Sequence, residues 1–269
     1  MKMLDFAVDI AGRAGELLLS HFEKLGKSDV SFKGKRNLVT VADKESEDFI
    51  VSEIRKAYPE HSILAEEKTR DTREVPYKWI IDPLDGTINF THGHPFFCVS
   101  IALAHEGKII LGVIHAPLLN ETYHAELGGG AYLGERKLSV SGSETLINSL
   151  LATGFAYVRE ETMSNNLENF NRLSLKARGV RRYGSAAIDL AYVAAGRLDG
   201  FWELYLAPWD VAAGSLLITE AGGKVTDLSG GGDFIYGQNI VASNGKIHML
   251  IRENLNPFTE KDQTQSEGD

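Results

Sequence analysis

Between Lys78 and Leu133 five apolar, β-rich runs follow one another: Lys78–Ile81, Phe97–Ala104, Lys108–His115, Glu121–Glu126 and Gly130–Leu133. Glu106-Gly107 and Leu119-Asn120 read as tight turns between consecutive runs. Parallel neighbours need a crossover of a dozen or more residues, so runs joined this closely must pair antiparallel, as a meander. A plain doubly wound parallel fold is thereby excluded.

Helices flank this sheet. Leu4, Val8, Ala11, Gly15, Leu18 and Leu19 recur at helical spacing, with Asp5, Asp9, Arg13 and Glu16 between them, so an amphipathic helix over about Leu4–Glu23 is expected to open the chain. A second helix is expected from about Lys44 to Ala57, with Phe49, Ile50 and Ile54 facing inward and Asp43 as its candidate N-cap. Beyond about Ser143 the pattern changes. Strand candidates Leu150–Thr153, Gly200–Glu203, Lys224–Asp227 and Ile240–Ala242 alternate with helical stretches at Ala186–Ala195 and Val211–Ala221, which predicts a second α/β layer. The expected organisation is an N-terminal α+β half over residues 1–142, a C-terminal α/β half over 143–255 and a polar, disordered tail over 256–269. Gly128-Gly129-Gly130 and Gly230-Gly231-Gly232 lack the strand-to-helix setting of a nucleotide loop and read as turns.

Charge narrows the function classes. With 37 acidic against 28 basic residues the net charge is −9, which argues against nucleic acid as a partner. The first helix carries charges along its length, so it is neither a signal peptide nor a membrane span, and a cytoplasmic protein with no membrane partner is expected. The lone Cys98, in FFCVSIALA, reads as a small buried apolar residue. An acidic chain that acts on an anion must recruit a cation locally, and a bound metal is the obvious source.

The chemistry concentrates in WIIDPLDGTINF, Trp79–Phe90. Trp79, Ile80 and Ile81 suit a buried strand end, and Pro83 is expected to stop further pairing, so Asp82 and Asp85 are delivered at the strand's mouth. Two carboxylates in one small space repel unless a divalent cation joins them, and all-oxygen ligands suit Mg²⁺ rather than zinc. Gly86-Thr87 follow, and TINF can begin a helix whose first N–H groups suit phosphate. Glu66 and Glu67 succeed the apolar Ser62-Ile63-Leu64, and Asp210 opens the helix VAAGSLLITEAGG, where an acid also serves as a cap. There is no GxSxG or HExxH motif and no Cys/His arrangement for nucleophilic catalysis; His92 and His94 read as structural.

Together, WIIDPLDGTINFTH and WDVAAGSLLITEAGG, with the EE pair upstream, resemble the signature motifs of the inositol monophosphatase family, and the similarity runs to about Ile251. The resemblance implies a layered αβαβα sandwich, as in inositol monophosphatase and fructose-1,6-bisphosphatase folds, and a phosphoric monoester hydrolase that is a lithium-sensitive homodimer with two or three Mg²⁺ per site. It implies metal ligation by Glu66, Asp82, the Leu84 carbonyl, Asp85 and Asp210, with Asp210 also near the leaving-group oxygen. Gly86 and Thr87 would hold phosphate through their backbone, and Glu66 with Thr87 would position the attacking water. Glu203 would contact ring hydroxyls, with Ser185 and Ala186 lining the same pocket; Ser185 equally suits an N-cap. Lys33 resembles a family lysine near the metal-binding loop and Asp43 an acid near a weaker third metal, while Asn37 and Ala65 stand where many relatives carry Asp and Gly. The expected substrate is inositol 1-phosphate. Fructose 1,6-bisphosphate or dual activity is the alternative, and a regulatory macromolecule-binding protein is the alternative from another class.

Overall fold

The computed structural model describes residues 2–24, 26, 29–32, 38–156 and 164–258; Lys33, Asn37 and most of the tail lie outside the described residues. Along the chain run α1 (Met3–His21), β1 (Val30–Phe32), β2 (Leu38–Thr40), α2 (Val41–Ala57), β3 (Ser62–Ala65), β4 (Tyr77–Asp85), α3 (Thr87–Thr91), β5 (Cys98–His105), β6 (Lys108–Ala116), β7 (Glu121–Glu126), β8 (Gly130–Leu133) and β9 (Arg136–Lys137). They continue as β10 (Leu150–Thr153), α4 (Leu167–Ser174), β11 (Gly179–Arg181), α5 (Ala186–Ala194), β12 (Gly200–Leu204), α6 (Pro208–Glu220), β13 (Lys224–Thr226), β14 (Asn239–Ser243) and α7 (His248–Arg252).

The meander is a seven-stranded sheet in the order β3-β4-β5-β6-β7-β8-β9, antiparallel throughout except for the parallel β3-β4 pair. Alternation along β5 divides the core: Val99, Ile101 and Leu103 join the side chains of α1 and α2, while Cys98, Ala102 and Ala104 join those of α5 and α6. The second face carries the smaller residues, so helices approach it closely. At Gly112 on β6 a Cβ atom would stand 2.8 Å from the Ala213 carbonyl oxygen of α6, so only glycine lets that helix lie on the strand. Beyond α5 and α6 a five-stranded mixed sheet, β11-β10-β12-β14-β13, turns Phe201, Ile240 and Ala242 inward. Its other face, with Leu151, Trp202 and Val241, is covered by Leu173 of α4 and Ile251 of α7. The layers therefore stack helix, sheet, helix, sheet, helix.

Two expectations need correction. Pro83 does not end β4, which continues to Asp85 across a register shift, because a bulge accommodates the missing N–H donor. Asp43 is not the N-cap of α2: Thr40 is, and Asp43, at the third helical position, closes a capping box by accepting from the Thr40 N–H at 2.8 Å. Phe49 packs half-buried against the edge of the core, beneath the Arg13 guanidinium, 4.7 Å from the ring centroid.

His248 is 1% exposed, its ring nitrogens 2.9 Å from Thr226 Oγ1 and 3.0 Å from Ser243 Oγ. Burial, with Lys224 and Arg252 nearby, pushes its pKa down to about 4. The folded value lies below the unfolded ~6.5, so its contribution to stability is complete above pH ~6.5 and is lost as pH falls toward 4. Thermal melts from pH 7 to pH 4.5 are expected to show a shallower loss in His248→Gln than in wild type; equal slopes would contradict this.

Candidate active site

One cleft is lined by Glu66, Asp82, Leu84, Asp85, Gly86 and Thr87 together with Asp210. Asp82 and Asp85 are an odd number of residues apart, so a regular strand would send them to opposite faces. The bulge prevents this. Asp82 pairs with Ser100 and Asp85 with Cys98, so three steps on β4 match two on β5 and both carboxylates reach the same space.

Each aspartate is fixed through one oxygen. Asp82 Oδ1 accepts from the Leu84 N–H at 3.0 Å. Asp85 Oδ2 accepts from Ser185 Oγ at 2.6 Å and from the Ala187 N–H at 2.8 Å. Asp210, at the third position of α6 rather than its N-cap, accepts from the Ala207 N–H at 2.6 Å. Burial first, and then repulsion within the group including Glu66, pushes Asp82 and Asp210 well above the usual carboxylate range. Asp85 rises to about 6, again by burial, against the pull of its Ser185 and Ala187 hydrogen bonds. Such a concentration of mutually repelling oxygen donors, Asp82 buried and Asp85 and Asp210 half-buried, fits a divalent cation of the Mg²⁺ type. Among the described residues no three acidic, histidine or cysteine side chains already close around one metal position. Mg²⁺ retains several waters and takes few protein ligands at once, so it needs no finished cage.

Beside this cluster, Thr87 Oγ1 donates to Asp43 Oδ1 at 2.9 Å and lies 3.2 Å from the Leu84 carbonyl. Asp43 is fully buried, and desolvation lifts its pKa to about 6 against the pull of Thr40 and Thr87. With its proton committed to Asp43, the Thr87 hydroxyl is left to accept from a water molecule. Gly86 has φ +95°, and a Cβ there would meet the Phe96 carbonyl oxygen at 2.7 Å, so glycine is required where α3 begins. The first N–H groups of that helix lack intrahelical acceptors.

A second cleft adjoins the first and shares Asp85, Tyr205 and Asp210 with it; Arg182, Ser185, Ala186, Asp189 and Glu203 are among its other lining residues. Ser185 fills both roles foreseen for it, lining the cleft and capping α5 by accepting from the Ile188 N–H at 3.2 Å. Glu203 is 8% exposed, and burial raises its pKa to about 8 against the pull of Arg182. Its carboxylate lies where a Cβ on Gly154 would be, 2.0 Å from Oε1, so glycine at 154 makes room for it.

The sequence reading missed Asp189 and Arg182. Asp189 is 1% exposed, its Oδ1 has no hydrogen-bond partner among the described residues, and burial with repulsion from Glu203 and Asp85 pushes its pKa well up. A signal existed: it is the single charged residue in AAIDLAYVA. His92 and His94 line neither cleft. Cys98 Sγ lies 3.6 Å from Ser185 Oγ, but burial and Asp85 raise its pKa far above the ordinary thiol value, which rules out a thiolate nucleophile at neutral pH.

The chain is similar to known proteins along nearly its whole length. A model described as the inositol monophosphatase family matches residues 1–259. An inositol-1-monophosphatase of Mesorhizobium japonicum is 44% identical over 250 residues, covering 93% of this chain and 94% of its own. The Nus factor SuhB of Pseudomonas aeruginosa is 42% identical over 260 residues, covering 95% and 96%. Among solved structures, an inositol monophosphatase from Anabaena superposes with a TM-score of 0.86 at 43% identity, over 95% of this chain and 96% of that one.

Proposed function

The chain belongs to the inositol monophosphatase family and is a phosphoric monoester hydrolase, and we propose that its substrate is inositol 1-phosphate, cleaved by water in a Mg²⁺-dependent reaction. The observation that supports this most is the group of the buried Asp82 with the half-buried Asp85 and Asp210, which borders a cleft lined by Glu203. Two Mg²⁺ ions, with a weaker third, would acidify a water molecule, neutralise the phosphoryl oxygens and stabilise the departing alkoxide. Glu66, Asp82, the Leu84 carbonyl, Asp85 and Asp210 would hold them.

The chain's own groups then do the positioning. Thr87, its proton held by Asp43, accepts from the attacking water and fixes its approach, and Glu66 lines the same cleft. Gly86 and Thr87 present backbone N–H groups to the phosphoryl oxygens. Asp210 borders both clefts, where the leaving-group oxygen must lie. On the alcohol side, Glu203 accepts from a ring hydroxyl while Ser185 and Ala186 form the adjoining wall.

The lining of that second cleft favours a polyol over a bisphosphate. Glu203 and Asp189 line it, and burial holds both largely protonated near neutral pH, so they offer hydrogen bonds to hydroxyl groups rather than charges to a second phosphate. The regulatory alternative has no feature of this site in its favour. We further propose, from family membership, a homodimer, inhibition by lithium, a cytoplasmic address and the division into halves at residues 142 and 143. No helix of the described residues is long and apolar enough to cross a membrane.

The test is turnover on inositol 1-phosphate and fructose 1,6-bisphosphate at equal Mg²⁺. Wild type is expected to prefer the former, and Glu203→Gln to raise its KM by about threefold to tenfold, the loss of one hydrogen bond to a ring hydroxyl. No preference in wild type would remove the inositol reading.

A further inference from the structure

Of the proposed side-chain ligands, Glu66 stands on no regular element: it follows β3, whereas Asp82 and Asp85 are on β4 and Asp210 is on α6. Its segment is nonetheless closely held. The chain folds back after β3, with the Ala65 N–H donating to the Thr69 carbonyl at 2.8 Å and the Asp71 N–H to the Ile63 carbonyl at 2.8 Å. From below, the buried Glu47 of α2 accepts from the N–H groups of Glu67 (2.7 Å), Lys68 (3.1 Å) and Thr69 (2.9 Å) and from Thr69 Oγ1 (2.8 Å).

From outside, Arg70 makes two contacts in different directions. One guanidinium nitrogen donates to the Glu66 carbonyl at 2.6 Å. The guanidinium plane lies over the Trp209 ring, its carbon 4.6 Å from the centroid. Trp209 precedes Asp210, and its own carbonyl accepts from Ser100 Oγ of β5 at 3.2 Å. The stack therefore rests on a helix start that is itself tied to the sheet. Arg70 links the two sides of the cleft, the Glu66 turn and the Asp210 helix, which come from opposite halves of the sequence.

We propose that Arg70 is a positioning residue that clamps the Glu66 turn onto Trp209 and so sets the distance between Glu66 and Asp210 on which metal affinity depends. The inference rests on the metal reading above and concerns how this chain builds that site. A flat fork is needed to stack and donate at once, so lysine is no substitute for arginine here.

The test is Mg²⁺ binding by calorimetry on the substrate-free protein, for wild type, Arg70→Ala, Arg70→Lys, Trp209→Leu and the Arg70→Ala/Trp209→Leu pair. Removing the stack and the hydrogen bond is expected to raise the Kd for Mg²⁺ by about fivefold to tenfold in Arg70→Ala, and nearly as much in Arg70→Lys. In the Trp209→Leu background, Arg70→Ala is expected to add less than its full effect, the mark of coupled partners. Trp79 and Trp202 are fully buried, so a change in tryptophan emission in Arg70→Ala reports Trp209, and unchanged melting separates the effect from a loss of fold. An unaltered Kd in Arg70→Ala, or fully additive losses in the pair, would overturn the clamp. A wild type that binds no Mg²⁺ would overturn the metal reading and the clamp with it.

Discussion

Asp85→Asn is expected to lower phosphate release at least ~10³-fold while leaving the molecule folded. The two halves of that expectation come from different features of the same carboxylate. Oδ2 is anchored by Ser185 and Ala187, and an amide oxygen in that position accepts the same two hydrogen bonds, so the link between β4 and α5 persists. What disappears is a negative charge that burial and its acidic neighbours disfavour without a cation, and with it the attraction for Mg²⁺. The variant should therefore melt, in chelator, at or above the wild-type temperature, although it is nearly inactive. Phosphate release and a thermal melt on the same preparation check both halves. Activity within tenfold of wild type would remove Asp85 from the metal site.

Stripping the metal with a chelator is expected to abolish turnover, and returning Mg²⁺ to restore it. Stability should move in parallel. At a Mg²⁺ concentration of 100 times Kd, binding adds about 2.7 kcal/mol to the folded state, a rise of several degrees in Tm. The pH dependence has a definite sign. Asp82, Asp85 and Asp210 have folded pKa values above the ordinary carboxylate value, Asp85 at about 6. In the metal-free protein their contribution is present below pH ~4 and is lost as pH rises through 6 and beyond. The Tm gained on adding Mg²⁺ should accordingly grow from pH 5 to pH 8, measured as paired melts in chelator and in Mg²⁺. A constant or shrinking gain would mean that the ion binds elsewhere.

The meander and the alternating second half were legible because tight turns and two-residue periodicity are local properties. Glu121–Glu126, Gly130–Leu133 and Leu150–Thr153 coincide with β7, β8 and β10. The short pieces were not legible: β1 and β2, α4 and β11 are three to eight residues long, too short for a periodic pattern to mark them. Pro83 was misread for a related reason. A missing donor forbids regular pairing, but a bulge is a tertiary solution, and here that solution aims Asp82 and Asp85 at one place. The motif acids could be read because they cluster in sequence. Asp189 left one local sign, a lone charge in AAIDLAYVA, but its role and that of Arg182 come from lining a cleft together with Glu203. Arg70 could not be read either, since its partner Trp209 is far away in sequence.

The most direct test of the account is phosphate release from inositol 1-phosphate by the wild-type protein, with Mg²⁺ and after its removal, beside fructose 1,6-bisphosphate under the same conditions. The account predicts release that requires Mg²⁺ and is faster from the inositol ester. Release that persists without metal, or none from either ester, would contradict it.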